Sequence, residues 1–295
     1  MTQLVQLQAV ADELAEHGFS LFAISNDTVE ILSAFAAEQG ITFPLLADAD
    51  SSVIRSFGIM NQLIEPDEGR SMRWHGIAYP GTYYLDGDGV VADKDFHQHH
   101  ARRASGVSVL ARALGRDVAV DESTVTTVDE GEVRIDVGLA DPALRLELIS
   151  ELVVTLDVPA GKHLYAAGAP EAFTPLEVEV EGEGIRLGPP TLPEPDELTM
   201  SELGLTVPTH AGRVRVGLPI TVTSEVVRLG HDIGDALELS VVCRFQVCDE
   251  LACGLPQRVE VAMSVPLDRL VEPAGIRRYV ERVEAIEAET GRPVR

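Results

Sequence analysis

Two of the chain's three cysteines, Cys248 and Cys253, stand on either side of Asp249-Glu250-Leu251-Ala252. A thiolate is both a nucleophile and a metal ligand, so a close pair points to redox exchange or metal binding. A reversal of this length can bring two β-carbons near the ~3.8 Å that a disulfide needs. An exposed pair closing so small a loop adds little to stability and suits reversible thiol exchange. The other reading is two free thiols in a loop. Zinc is disfavoured, because no second pair of ligands has suitable spacing. The third cysteine falls in a run of period two. Leu237, Leu239, Val241, Cys243, Phe245 and Val247 are apolar and odd-numbered, while Glu238, Ser240, Arg244, Gln246 and Cys248 alternate with them. One strand over 237–248 then puts Cys243 in the core as an inert packing residue and turns Cys248 outward.

Other chemistry-bearing groups have plainer readings. His97, His99 and His100 with Asp95 could hold a metal ion, but three imidazoles so close in sequence rarely converge, and a solvated strand end is favoured. Asp86-Gly87-Asp88-Gly89 opens like a calcium loop but lacks the glutamate such a loop requires, so a hairpin turn is expected. His75 beside Trp74 reads as a loop residue. No metal and no cofactor is expected.

The elements that position these groups follow from periodicity and punctuation. Leu4, Leu7, Val10, Ala11 and Leu14 predict a helix over 2–17, stopped by Gly18. A short strand over 19–25 precedes a helix over 28–39, which Asn26-Asp27-Thr28 caps and Gly40 closes. A short helix over 50–57, a polar loop over 59–76, a hairpin of 81–85 with 90–96, and a helix over 99–114 complete an α/β half. The stretch 117–130 is polar without helical period and reads as a linker. Strands are expected at 133–139, 144–148, 152–156, 176–180, 213–218, 220–227, 237–248 and 257–265, separated by Pro- and Gly-rich turns, which suggests a β-sandwich. Ile276, Tyr279, Val280, Val283 and Ile286 predict a helix over 274–291. The expected division is therefore 1–116, linker 117–130, 131–270 and a helical tail 271–295.

Composition narrows the function. The chain has 295 residues, 48 acidic and 23 basic, with a formal charge of −25. So acidic a surface repels nucleic acid and anionic membranes, and neither is an expected partner. The first 21 residues carry Asp12, Glu13 and Glu16 and no basic segment, so they do not read as a signal peptide, and as written the chain is expected in the cytoplasm. A periplasmic location stays open if the chain is truncated at its N-terminus.

Four segments in order resemble the alkyl hydroperoxide reductase and thiol-specific antioxidant family: Gln3-Leu4-Val5-Gln6-Leu7-Gln8, Leu21-Phe22-Ala23-Ile24-Ser25-Asn26-Asp27, Phe43-Pro44-Leu45-Leu46-Ala47-Asp48, and Tyr79-Pro80-Gly81-Thr82-Tyr83-Tyr84-Leu85-Asp86-Gly87-Asp88-Gly89. The resemblance covers about 1–114. It implies a peroxiredoxin-like, thioredoxin-like fold that reduces peroxides or disulfides through a cysteine at the start of its first long helix, where the helix N-terminus lowers the thiol pKa. The helix over 2–17 holds no cysteine, so this peroxidatic residue is absent. The strand expected before that helix is absent too. It would lie centrally in the sheet, and its loss leaves the sheet split. The reading is a chain truncated upstream. By the same resemblance Pro80 stands where such proteins place a cis-proline, with Thr82 beside it. The alternative is a turn proline at a strand start.

The second half resembles the N-terminal domain of the thiol:disulfide interchange protein over about 130–268. The resemblance rests on Asp157-Val158-Pro159-Ala160-Gly161-Lys162-His163-Leu164-Tyr165, on Thr174-Pro175-Leu176-Glu177-Val178 and, most specifically, on Phe245-Gln246-Val247-Cys248-Asp249-Glu250-Leu251-Ala252-Cys253-Gly254-Leu255-Pro256. It implies an immunoglobulin-like sandwich in which Cys248 and Cys253 are the exchanging pair. Tyr165 and Phe245 could shield that pair but read more simply as core residues. The expected function is a thiol–disulfide oxidoreductase of antioxidant type, with peroxide or disulfide as substrate and a thioredoxin-like protein as electron donor. The alternative is a non-catalytic scaffold that binds partners.

Overall fold

The computed structural model describes residues 2–62, 76–99, 102–200, 204–223, 235–249 and 251–268. The helix expected over 274–291, Trp74 with His75, and His100 lie outside these residues. The chain divides into two compact units, Met1–His100 with Arg269–Arg295, and Ala101–Asp268.

The first unit opens with α1 (Thr2–Glu16), which buries Leu7 and Leu14 seven residues apart on one face. β1 (Ala23–Ser25) follows. α2 (Val29–Gln39) starts where the Thr28 hydroxyl accepts from Ile31 N, and ends at Gly40, whose φ of 66° lets its N–H reach Ala36 O. β2 (Leu45–Ala47) pairs in parallel with β1. At the start of α3 (Ser52–Ser56), the Asp48 carboxylate accepts from the N–H groups of Val53 and Ile54. β3 (Gly81–Leu85) and β4 (Val91–Phe96) form the expected hairpin. The Asp86 carboxylate accepts from Asp88 N and Val90 N within the turn, and Gly89 takes the left-handed conformation, φ 78°. Among the described residues β1–β2 and β3–β4 are two separate two-stranded sheets.

The second unit takes residues that the sequence reading assigned elsewhere. The helix expected over 99–114 is replaced by β5 (Arg103–Ala104) and α4 (Gly106–Ala113), with Ser105 as N-cap. Arg103 and Ala104 enter this unit by pairing in parallel with Leu148 and Ile149. The expected linker holds a 3-10 turn at Glu122–Thr124 and β6 (Thr126–Glu130), because Thr126, Thr127 and Val128 are β-branched and suit a strand. β7 (Val133–Leu139), β8 (Leu144–Arg145), β9 (Leu148–Asp157), β10 (His163–Tyr165), β11 (Glu177–Gly182) and β12 (Ile185–Leu187) come next. β13 (Asp196–Met200), β14 (Leu205–Ala211), β15 (Arg213–Val222), β16 (Ala236–Phe245), β17 (Val247–Cys248) and β18 (Gln257–Asp268) complete it.

Three sheets result. One runs β12-β15-β9-β7-β6 with β5 added on β9, a second runs β11-β16-β18-β8, and a third β13-β14-β10-β17. The first two share one core. Val137, Leu152, Val154 and Val216 from one sheet pack with Val241, Cys243, Phe245 and Val261 from the other, each buried side chain contributing about 1.5–3 kcal/mol. The third sheet carries a smaller apolar cluster of Tyr165, Val207 and Cys248, with Phe173, Leu198 and Met200 packed against it.

The strand predicted over 237–248 is interrupted. β16 stops at Phe245, Gln246 leaves the ladder, and β17 pairs with β10 in the third sheet. Cys248 is therefore not turned to solvent. It does face away from Cys243, as a period of two requires, but the smaller cluster covers that face and leaves Cys248 1% exposed. Among the described residues no helix is long and apolar enough to cross a membrane.

Candidate redox site

β10 and β17 build the site. Their register sets His163 opposite Cys248 and Leu164 opposite Val247. Leu164 and Val247 face the main core, whereas Tyr165 and Cys248 face the smaller cluster. Alternation along β10 thus puts His163 and Tyr165 on the cysteine side. After β17 the chain reverses within four residues. Asp249 N donates to Ala252 O, and the Asp249 carboxylate accepts from Leu251 N and Ala252 N, both at 2.8 Å. These two N–H groups, then Lys162 and His163 nearby, hold the Asp249 carboxyl below its ordinary range. Gly254 N returns to Val247 O at 2.9 Å, which closes the turn.

Across this turn Cys248 and Cys253 are joined by a disulfide, with their Cα atoms 4.1 Å apart. The two sulfurs have unlike surroundings. Cys248 is buried, whereas Cys253 is exposed. The disulfide sulfur of Cys253 has no proton to give, so the Tyr165 hydroxyl, 3.3 Å away, is the donor. Burial raises the phenol's pKa and keeps that proton in place. The Tyr165 ring lies 4.3 Å from Phe173 and meets His163 edge-on at 5.4 Å. Gln246 ties both sides of the site together: its side-chain oxygen accepts from Thr174 N at 3.1 Å and its amide donates to Gly254 O at 2.9 Å. Flanking the exposed sulfur, Leu251 and Leu255 are 97% and 84% exposed.

The other residues singled out in the sequence take the following places. Cys243 is a free thiol in the main core, and burial pushes its pKa up to about 12. Phe245 belongs to the same core. Tyr165 is the shielding residue that reaches the pair. Pro80 and Thr82 belong to the first unit. Among the described residues no peptide bond is cis, so Pro80 is the turn proline, its carbonyl accepting from His97 N at the mouth of the hairpin. Thr82 sits opposite Asp95 in that hairpin. His97 Nε2 lies 3.4 Å from Asp95 Oδ2. Sequence reading missed His163, Phe173 and Gln246 as site residues. The signal available was that His163 and Tyr165 share the parity of one short strand.

The site is a disulfide on a β-sheet edge, one of its cysteines buried and the other exposed. Residues 1–94 match the model of the AhpC/TSA family. Alkyl hydroperoxide reductase C of Staphylococcus aureus (strain NCTC 8325 / PS 47) is 29% identical over 94 residues, which is 30% of this chain and 44% of that protein. The chain thus spans less than half the length of the curated relatives it matches. Among solved structures, the N-terminal domain of Neisseria meningitidis DsbD in the reduced form aligns with 40% of this chain and 85% of its own, at 16% identity and a TM-score of 0.27. Enterococcus faecalis AhpC aligns with 39% of this chain and 64% of its own, at 20% identity and a TM-score of 0.33.

Proposed function

We propose that the second unit is a thiol–disulfide relay whose working groups are Cys248 and Cys253, within an antioxidant-type oxidoreductase. The observation that carries this is the unequal burial of one disulfide. Cys253 is the exposed residue of the pair and so the sulfur an incoming thiolate attacks, while Cys248, 1% exposed, is the natural leaving sulfur. A new bond forms between the partner sulfur and Cys253, and the Cys248–Cys253 bond breaks with its electron pair on Cys248; the partner's second thiolate then attacks the partner sulfur of the mixed disulfide, Cys253 leaves as thiolate, and the partner departs as its own disulfide with both cysteines of this chain reduced. The partner is a reduced, thioredoxin-like protein, which the exposed Leu251 and Leu255 give an apolar footing beside the reacting sulfur. Residues 1–94 contain no cysteine. Peroxide or disulfide reduction by a domain of the first unit's kind requires the family's cysteine, which residues 1–94 do not supply. We read the second unit as an immunoglobulin-like sandwich.

Alkylation and peptide mapping of the full chain, before and after mild reduction, test the relay. The expected result is a reversible Cys248–Cys253 disulfide with Cys243 reduced throughout. Three thiols that stay reduced under oxidant would remove the relay and leave the scaffold reading.

A further inference from the structure

Cys248 raises an energetic problem. If it leaves as a thiolate inside an apolar cluster, its charge is poorly solvated, and burial alone would raise its pKa and slow the exchange. Some group must donate to that sulfur. His163 is placed to do so. It is the cross-strand partner of Cys248 in the β10–β17 pair, and directly opposed residues on one face carry Cβ atoms roughly 4.5–5.5 Å apart. It is itself 9% exposed, and its Nε2 is buried with no hydrogen-bond partner among the described residues. An orphan buried ring nitrogen costs stability, on the order of 1–3 kcal/mol, and this one lies on the face where a charge appears during turnover.

Resting on the exchange reading above, we propose that His163 is the hydrogen-bond donor that stabilises the Cys248 thiolate, and that it has no such work while the disulfide is closed. A partner thiolate attacks Cys253 Sγ, the partner–Cys253 bond forms, and the Cys248–Cys253 bond breaks. The electron pair goes to Cys248 Sγ, which accepts from the imidazole N–H.

Few other ionisable groups bear on the ring. Asp249, just past β17, favours its charged form, while burial, the larger effect, lowers its pKa. Lys162, just before β10, is paired with Glu132. From β14, Ala211 lies opposite His163 and Thr209 opposite Tyr165, whereas His210 pairs with Leu164 and faces away.

The test uses the full chain with Cys253→Ser, so that Cys248 is a free thiol. Thiolate absorbance near 240 nm is followed against pH. Cys243, at about 12, stays silent. The expected result is a Cys248 midpoint at least about one unit lower with His163 than in His163→Phe, a tenfold difference in thiolate at a given pH, with His163→Gln in between. An equal midpoint in every variant that folds overturns the proposal. A second readout needs no change at position 163. The His163 ring resonances should shift with the same midpoint as the thiolate absorbance, and their failure to do so overturns it equally. Loss of the relay itself would instead appear as a disulfide that never forms or never reduces in the parent chain.

Discussion

At the scale of single residues, the hydroxyl of Tyr165 is the group most directly tied to Cys253. Kept in this position on reduction, the same O–H would donate to a Cys253 thiolate and stabilise it. Tyr165→Phe keeps the ring against Phe173 and removes only the donor. The Cys253 thiol pKa is therefore expected to rise by about one unit, and attack by the reduced protein on a small disulfide at pH 7 to slow by up to about tenfold. Stopped-flow kinetics across pH would show this as a displaced inflection. The pair and the inert Cys243 were legible in the sequence, because a period of two and a short polar reversal are local signals. The burial of Cys248 was not. Its cover comes from Tyr165, Phe173 and Val207, brought in by strand pairing that no local pattern encodes.

At the scale of elements, the break between β16 and β17 is what moves Cys248 from one sheet to another. Gln246 occupies that break and holds both flanking segments through its side-chain amide. Gln246→Ala leaves Thr174 N and Gly254 O without this partner, and is expected to cost about 1–3 kcal/mol, read as a shift in the urea midpoint with an unchanged slope. Caps and turn residues made α1, α2 and the β3–β4 hairpin readable in advance, since Thr28, Gly40 and Asp86 do their work within a few residues. β10, β13 and β14 were missed because they are short or, like β14 with Pro208 and His210, lack alternation. β15 was predicted as two strands because Pro219 sits in its middle; there the Pro219 carbonyl still accepts from Gly188 N, and the strand runs on.

At the scale of the whole chain, two units of different construction stand side by side in sequence. The second has a core shared by two sheets, whereas the strands described in the first form only two-stranded ladders, which are marginal on their own. Amide exchange in the full chain is expected to be slowest in β7, β9, β15, β16 and β18, and faster in β1 to β4. Equal protection in the two groups would contradict it. The cysteines carry one more consequence. Cys243, Cys248 and Cys253 are spaced at equal intervals, five residues each, so in an unfolded chain the two short ring closures are nearly degenerate in entropy. Once β16 and β17 form, Cys243 lies in the main core and Cys248 in the smaller cluster of another sheet, and side chains directed apart cannot be bridged. The choice of disulfide is thus made by the sheet before any oxidant arrives, a form of proofreading in which secondary structure rejects the wrong ring.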